Sequence, residues 1–403
     1  MTDLLRPFRC GPLLVPKIWG GEKLGAKFGK PVSQSKIGES WEVADLDEGQ
    51  SYVDSGEHEG KSLVEMVRLF GEHLVGTKIS LQRFPLLIKF LDANDDLSVQ
   101  VHPGPDTAKL FDNADSKDEC WIILDSQNGE IAHGFRPNTT MQQLKEGTLL
   151  NTVLVEKDDA VRVPPGSVHA IRKGVDLLEI QEPSDTTFRL YDYGRKNDEG
   201  EFRALHVEQA LQVLALDSST NLLKLDDDEH YVLFDAPNYR VEILNIQNAT
   251  WSVSPESTQV LINLGPNDLV LDDFKIAPFQ TAIIPATLNS VTISSDAKNR
   301  LVLAGGAVFW PKTFANRIRT FLKIKVSKLF LPSANRILVD VLCQLNWGKI
   351  SLKMRPYQAF PNCKNLSHIY FVYRRPDTHP LLRNEKNIHI THQRVAGAGK
   401  LLV

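Results

Sequence analysis

The chain has 403 residues, of which 42% are hydrophobic and 24% charged, so it is long enough for two or three domains and apolar enough to give each a core. No apolar run approaches the roughly 18 residues of a transmembrane helix, and the four cysteines show neither CxxC spacing nor a disulfide pattern. The first residues lack the basic head, apolar stretch and cleavage site of a signal peptide, so we expect a cytoplasmic protein without membrane contacts.

Charge is distributed unevenly along the chain. Residues 313–403 contain 16 Lys and Arg against 3 Asp and Glu, a net charge of +13, whereas residues 1–312 contain 30 against 47, a net charge of −17. This break predicts a boundary near residue 313. We interpret 313–403 as a basic C-terminal extension, with a disordered appendage as one form it could take. The absence of a nucleic-acid-binding motif and the acidity of the remainder argue against a nucleic-acid partner.

Residues 1–310 mostly alternate short apolar runs with Gly, Pro and Asp turns, the pattern of a β-sandwich or β-barrel. Helical signals are few. A capping box at Ser62–Glu65 opens "SLVEMVRLFGEHL", a similar signal at Thr140–Gln143 opens "TMQQLKEGTLL", and "HVEQALQVL" starts at His206.

A weak internal repeat suggests two related barrels. "AVRV" runs into a proline turn at Pro164 and then a strand that starts with His169, and "TAII" runs into a proline turn at Pro285 and then a strand near Ser290. Only the first copy carries a histidine. We therefore expect a catalytic barrel over 1–215 with helical insertions and a second, metal-free barrel over 216–312.

The first candidate site residues lie in "LSVQVHP", directly after the apolar run "FPLLIKFLDA". On a strand, Ser98, Gln100 and His102 point to one face, whereas Val99 and Val101 point to the other. Gln100 and His102 side by side can hold a metal ion, or they can be two polar groups satisfied by hydrogen bonds.

Two later motifs favour the metal. In "VRVPPGSVHAI" a stiff proline turn presents His169 at the start of a strand, and in "SKDECWIIL" Glu119 directly precedes another apolar strand. Gln100, His102, Glu119 and His169 together form a nitrogen and oxygen donor set suited to zinc or another divalent transition metal.

The segment "EPSDTTFRLYDYGRKNDEGEFR" is rich in charge, and its arginines Arg189 and Arg195 are six residues apart, so both can point to one side. Together with Lys89, the lysine inside the apolar run, they suit an anionic, phosphorylated substrate. The alternative is a solvated hairpin with surface ion pairs.

"LSVQVHP", "KDECW", "VPPGSVHAI" and "SDTTFRLYDYGR", in this order, resemble the type I mannose-6-phosphate isomerases of the short bacterial kind. The resemblance covers about residues 7–311. It implies an all-β dominated fold of two cupin-type (jelly-roll) barrels, one zinc ion per chain, and interconversion of mannose 6-phosphate and fructose 6-phosphate through an enediol. Nothing in the family resembles the segment from Thr313 onward.

The resemblance also implies roles for individual residues. His102, Glu119 and His169 match the zinc ligands, and Gln100 matches a ligand position of longer relatives. Arg189 matches the catalytic arginine. The remaining matches border the substrate pocket: Lys89, Ser98, Lys117 and Arg195 as substrate-binding residues, with Trp19 and Glu39 beside them. We also assign Asp185, in the last of these motifs, to substrate binding.

Several alternatives stay open at this point. The proton carrier could be Glu182, Asp185 or His102, although a zinc-bound histidine is not a free base. Other functional classes are a non-enzymatic cupin that binds sugar or metal, a metal-dependent oxygenase, and another cupin sugar-phosphate isomerase. The chain could act as a monomer or a dimer.

Overall fold

The computed structural model describes residues 5–135, 150–197, 199–215 and 220–306, and beyond these 323–330, 337–344, 368–372 and 387–391. The chain divides into two compact units, Met1–Pro311 and Lys312–Val403. In the described residues strands far outnumber helices, which confirms the expected strand-dominated fold with a few short helices.

The α-helices in the described ranges are α1 Lys23–Ala26, α2 Leu63–Phe70, α3 Glu72–Val75 and α4 Val207–Val213. The capping box is confirmed, since Glu65 N donates to Ser62 Oγ and Ser62 N donates to the Glu65 carboxylate. A helix also follows His206, as predicted. The predicted helix start at Thr140 lies outside the described residues. No helix in the ranges above has the length and apolar character needed to span a bilayer.

The strands of the first unit are β1 Cys10–Gly11, β2 Leu13–Gly21, β3 Ile37–Val43, β4 Asp45–Leu46, β5 Gly49–Gln50, β6 Tyr52–Val53, β7 Leu87–Asp92, β8 Val99–Val101, β9 Glu119–Ser126, β10 Glu130–Phe135, β11 Leu150–Leu154, β12 Asp159–Val163, β13 His169–Ile171, β14 Val175–Gln181, β15 Phe188–Tyr191, β16 Leu222–Lys224, β17 His230–Asp235, β18 Tyr239–Ser252, β19 Gln259–Asn263, β20 Leu269–Leu271, β21 Phe274–Ile276, β22 Thr281–Ile284 and β23 Ser290–Gly306. The described strands of the second unit pair as two antiparallel hairpins: Lys323–Phe330 with Ile337–Gln344, and His368–Val372 with Asn387–Thr391.

Three antiparallel sheets organise the first unit. The five-stranded sheet has the order β11-β10-β13-β8-β15, and the seven-stranded sheet has the order β16-β12-β9-β14-β7-β3-β2. The third sheet has the order β17-β18-β23-β19-β22, with β20 and β21 paired beside β23. Antiparallel pairing suits this sequence, because its strands are short and many are joined by tight turns.

Alternation along the strands decides which side chains face the interior between the first two sheets. On β13, Ile171 joins an apolar cluster with Trp19, Trp121 and Ile131, whereas Ala170 faces a different cluster that includes α4 residues. His169 is two residues from Ile171 and therefore lies on the same inward face. This apolar cluster lines one side of the interior, and the polar side chains of β8, β9 and β13 lie in the same interior.

Candidate metal centre and active site

His102, Glu119 and His169 meet in the interior between the first two sheets. One ligand atom from each lies within 4.8 Å of the others, and all three residues are buried. His102 Nε2 is 3.5 Å from Glu119 Oε2, and His169 Nε2 is 3.5 Å from Glu119 Oε1. The chain thus brings together three side chains that are 17 or more positions apart in sequence.

Each imidazole is oriented by a backbone carbonyl. His102 Nδ1 lies 2.8 Å from Thr186 O, and His169 Nδ1 lies 2.9 Å from Ser167 O. A carbonyl oxygen only accepts, so Nδ1 carries the proton in both rings and Nε2 is the nitrogen with the lone pair. This pattern is typical of metal-binding histidines, whose other nitrogen donates to a carbonyl or carboxylate.

The cluster fits a zinc ion. Ligands bound at about 2.0–2.1 Å in a tetrahedral site lie about 3.4 Å apart. Each histidine Nε2 is 3.5 Å from its nearer Glu119 oxygen, and one ligand atom from each of the three residues lies within 4.8 Å of the others, so small side-chain movements would close the group around an ion. His102 Nε2 is buried without a hydrogen-bond partner among the described residues. An unpaired buried polar atom is costly, and a coordinated cation would remove that cost.

Electrostatics keeps the three groups in their ligating forms. Burial lowers the pKa of His102 and His169, so both are neutral at pH 7. Burial opposes the charged form of Glu119, yet Lys117, together with the positive charge that the two histidines would carry if protonated, outweighs it and brings the pKa of Glu119 to about 2. Lys117 is itself buried, with Nζ 3.0 Å from Glu119 Oε2.

Gln100 lies at the edge of this cluster. It is the register partner of His169 across β8 and β13, and its Nε2 is 3.2 Å from His169 Nε2. Rotation of the terminal amide exchanges its nitrogen and oxygen, which places an oxygen donor at the same position.

A second group of charges surrounds Lys89 on β7, which is separated from β9 by β14 in the seven-stranded sheet. Lys89 Nζ lies 3.4 Å from Asp185 Oδ1, 3.6 Å from Glu179 Oε1 and 3.8 Å from Glu39 Oε2. Burial lowers the pKa of Lys89, but the surrounding carboxylates outweigh it and the pKa is raised, so the ammonium stays charged. The ammonium also lies 4.8 Å from the ring centroid of Trp41.

The two arginines occupy different surroundings. Arg189 pairs in register with Gln100, and its Nε donates to Ser98 Oγ at 3.3 Å. Arg195 instead donates to Asp192 Oδ1 at 2.7 Å and Asp95 Oδ2 at 3.3 Å. Arg189 therefore lies in one row of register partners with Gln100 and His169, and Ser98 is hydrogen-bonded to it. Arg195, in contrast, already pairs with two carboxylates.

Sequence reasoning missed two buried residues. Glu179 lies on β14, and Trp121 Nε1 donates to its Oε2 at 3.1 Å. Burial and nearby Glu119 raise the pKa of Glu179 to about 7. A lone glutamate inside the apolar strand "VDLLEIQ" was the available signal, of the same kind that singled out Lys89.

The other missed residue, His133 on β10, is the register partner of His169. It is buried, burial lowers its pKa to about 4, and neither ring nitrogen has a hydrogen-bond partner among the described residues. It is not part of the close His102, Glu119 and His169 group. No motif around "EIAHGF" pointed to it.

Trp19 and Glu39 are both buried. Trp19 belongs to the same apolar cluster as Trp121. Glu39 accepts from Trp41 Nε1 at 2.6 Å and pairs with Lys17 and Lys89.

Known proteins match a large part of this chain. The family model for the catalytic domain of phosphomannose isomerase type I matches residues 8–145. Mannose-6-phosphate isomerase ManA of Bacillus subtilis is 43% identical over 220 residues, which cover 53% of this chain and 69% of the relative. Mannose-6-phosphate isomerase of Streptococcus mutans is 35% identical over 297 residues, covering 70% of this chain and 92% of the relative.

Solved structures agree with these relatives. The crystal structure of mannose 6-phosphate isomerase from Bacillus subtilis superimposes with a TM-score of 0.64 at 28% identity, covering 74% of this chain and 99% of that one. A holo, zinc-bound mannose 6-phosphate isomerase gives a TM-score of 0.62 at 14% identity, covering 75% of this chain and 100% of that one, and at this identity the likeness shows the fold. Because the chain is 35% identical over 297 residues to a curated mannose-6-phosphate isomerase and covers 92% of that relative, it belongs to the type I mannose-6-phosphate isomerase family.

Proposed function

We propose that this chain is a zinc-dependent aldose–ketose isomerase that interconverts mannose 6-phosphate and fructose 6-phosphate through an enediol. The observation that carries the proposal is the buried group of His102, Glu119 and His169, with both Nε2 atoms directed at one carboxylate. Membership of the family supplies the substrate. We assign one zinc ion per chain to these three residues, with Gln100 as a fourth donor.

A zinc ion bound there supplies Lewis acidity, which polarises the sugar oxygens and stabilises negative charge as a proton moves between C1 and C2. Arg189 adds a fixed positive charge at the end of the same row of side chains. Lys117 keeps Glu119 ionised. Because Lys117 and Glu119 are buried and already paired, little reorganisation is needed around them during the reaction.

Glu179 is the group we assign to proton transfer. Its pKa of about 7 lets it both accept and return a proton near neutral pH. Glu182 suits the role less, because its carboxylate already accepts from Ser116, Asp118 and Asn238. Asp185 suits it less as well, because Lys89 overcomes the effect of burial and lowers its pKa.

The remaining pocket residues are assigned to substrate binding. Lys89 and Asp185 form an ion pair at the interior, and Ser98 together with Arg189 offers a hydroxyl and a guanidinium to a phosphate. Arg195 stays a candidate phosphate residue, although its pairs with Asp192 and Asp95 reduce the charge it can offer.

The finer organisation also remains a proposal. We divide the first unit into a catalytic cupin barrel over 1–215 and a second, metal-free barrel over 216–312, followed by the basic extension 313–403. One apolar cluster, which includes Phe90, Ile180, Tyr239 and Val302, joins the two proposed barrels. We propose a cytoplasmic enzyme, and a monomer or dimer without a nucleic-acid partner.

Removal of either histidine should abolish metal binding. His102→Ala or His169→Ala leaves an incomplete donor set, so zinc content should fall from about one per chain to near none, and isomerase activity should be lost with it. Zinc is measured by atomic emission on the same samples used for a coupled assay. His73→Ala, at an exposed histidine in α3, is the control and should keep both. Normal zinc content in both site variants would contradict the ligand assignment.

Arg189→Ala should keep zinc and fold but lower kcat by roughly 10²-fold or more, the scale of removing one preorganised electrostatic donor. Arg195→Ala should mainly raise KM, since a phosphate is held equally in ground and transition states. Steady-state kinetics on mannose 6-phosphate separates the two effects, with the exposed Arg68→Ala as control. The reverse pattern would mean that the roles are exchanged.

The assignment of Glu179 to proton transfer predicts that kcat/KM falls on the acidic side of its pH profile. The carboxylate must be deprotonated to accept a proton, so kcat/KM should fall as pH drops through a value at or below about 7, because a bound cation lowers the pKa further. Glu179→Gln should lower kcat by roughly 10²-fold or more and remove this acidic fall. Glu182→Gln should keep the acidic fall. An unchanged profile in Glu179→Gln would assign the proton to another group.

All residues assigned to the site or its border lie between 19 and 195, within the first compact unit. A chain ending at residue 312 should therefore fold, bind zinc and isomerise mannose 6-phosphate with near-full activity. Circular dichroism, zinc content and the coupled assay compare it with the full chain. Insolubility or loss of activity would show that the extension completes the first unit.

A further inference from the structure

The hairpin between β17 and β18, in the third sheet, reaches the segment that precedes the ligand Glu119. Tyr239 Oη donates to Asp118 Oδ1 at 3.0 Å, and Asn238 Nδ2 donates to Glu182 Oε1 at 2.6 Å. Tyr239 is fully buried. Both hydrogen bonds leave the third sheet and end on residues of the metal-binding half, more than 50 positions away in sequence.

The two acceptors fix the backbone on the N-terminal side of Glu119. Glu182 Oε2 accepts from Ser116 Oγ at 2.9 Å and from Asp118 N at 2.8 Å. Glu182 N donates to Asp118 O at 3.1 Å. Because Lys117 and Glu119 flank Asp118 directly, the position of both depends on this network.

Asp118 is almost fully buried and therefore depends on its donors. Besides Tyr239, it accepts from Arg162 Nε at 3.1 Å. Arg162 Nε shares Oδ1 with the Tyr239 hydroxyl, and Arg162 Nη2 donates to Oδ2, so removing the hydroxyl takes away one of the two donors of Oδ1 and leaves arginine alone to hold the carboxylate. Losing a donor to a buried carboxylate is costly, and a shift of the segment toward Arg162 reduces that cost. Such a shift moves Glu119. Because ligand distances in a well-formed metal site stay within about 0.2 Å of their typical values, this movement weakens metal binding.

We infer that Asn238 and Tyr239 are positioning residues, which act through Glu182 and Asp118 to hold Lys117 and Glu119 in the metal-binding geometry. The third sheet thereby contributes to metal affinity although it contributes no metal ligand. The inference rests on the proposed function for the identity of the metal. Direct hydrogen-bond partners of metal ligands typically account for about 10- to 100-fold in metal affinity or activity, and because Asn238 and Tyr239 act through a neighbouring residue, we expect the lower end of this range.

Tyr239→Phe and Asn238→Ala test this inference in the full chain. Zinc affinity, measured by competition with a chelator, should fall about 10-fold in each variant. At saturating zinc, kcat should fall while KM for mannose 6-phosphate stays within about two-fold, since neither residue contacts the pocket. Thermal unfolding of the metal-free proteins shows whether each variant folds, and the two variants test the network independently.

Tyr231→Phe is the matched control. Tyr231 lies in the same sheet and the same apolar cluster, but its hydroxyl accepts from Asp226 N instead of reaching Asp118. It should lose stability comparably and keep wild-type zinc affinity. Unchanged affinity in Tyr239→Phe and Asn238→Ala, or an equal loss in Tyr231→Phe, would overturn the positioning role while the proposed function stands. A wild-type chain that binds no zinc would overturn both.

Discussion

The fold of the first unit is organised around one buried carboxylate, that of Glu119. A carboxylate out of water is costly unless it is paired or coordinates a metal. Here Glu119 is fully buried with Lys117 on one side and two neutral imidazoles on the other. The imidazoles can donate nothing from Nε2, because their protons are directed at backbone carbonyls. A cation among these three groups satisfies all of them together.

Other features of the interior follow from this constraint. The apolar cluster around Trp121 keeps water away from one side of the site, which strengthens every charge interaction there. Burial also raises the pKa of Glu179, which lies on the strand next to that of Glu119 in the same sheet, two register positions away. Lys89 remains charged only because Glu39, Asp185 and Glu179 surround it. Metal binding, proton transfer and the binding of a charged substrate thus depend on one network of buried charged residues.

Sequence reasoning found the residues that break a pattern. Lys89 interrupts an apolar run, His169 follows a stiff proline turn, and Glu119 opens an apolar strand, so each was visible without a structure. Strand-dominated architecture and the helix at Ser62 were predictable for similar local reasons. Glu179 carried the same kind of signal and was overlooked because β14 is buried on both faces, which hides the period of two.

Register between distant strands could not be derived from the sequence. His169 is the register partner of Gln100 on one side and of His133 on the other. No local feature of "EIAHGF" indicates that His133 pairs with His169. Part of the surroundings of Arg195 was hidden for the same reason. Its spacing from Arg189 suggested a shared face, but Asp95, 100 positions away, pairs with it in addition to the local Asp192. The contacts of Tyr239 with Asp118 join segments 121 positions apart, a distance over which no pattern in the sequence is informative.

X-ray diffraction data collected on either side of the zinc absorption edge would test the central claim most directly. An anomalous difference map from crystals of the full chain should contain one strong peak per chain, about 2.0–2.2 Å from His102 Nε2, His169 Nε2 and a Glu119 carboxylate oxygen. A peak at that place which disappears below the edge identifies the metal as zinc. An active, metal-loaded crystal with its peak elsewhere, or with Glu119 turned away from it, would contradict the account.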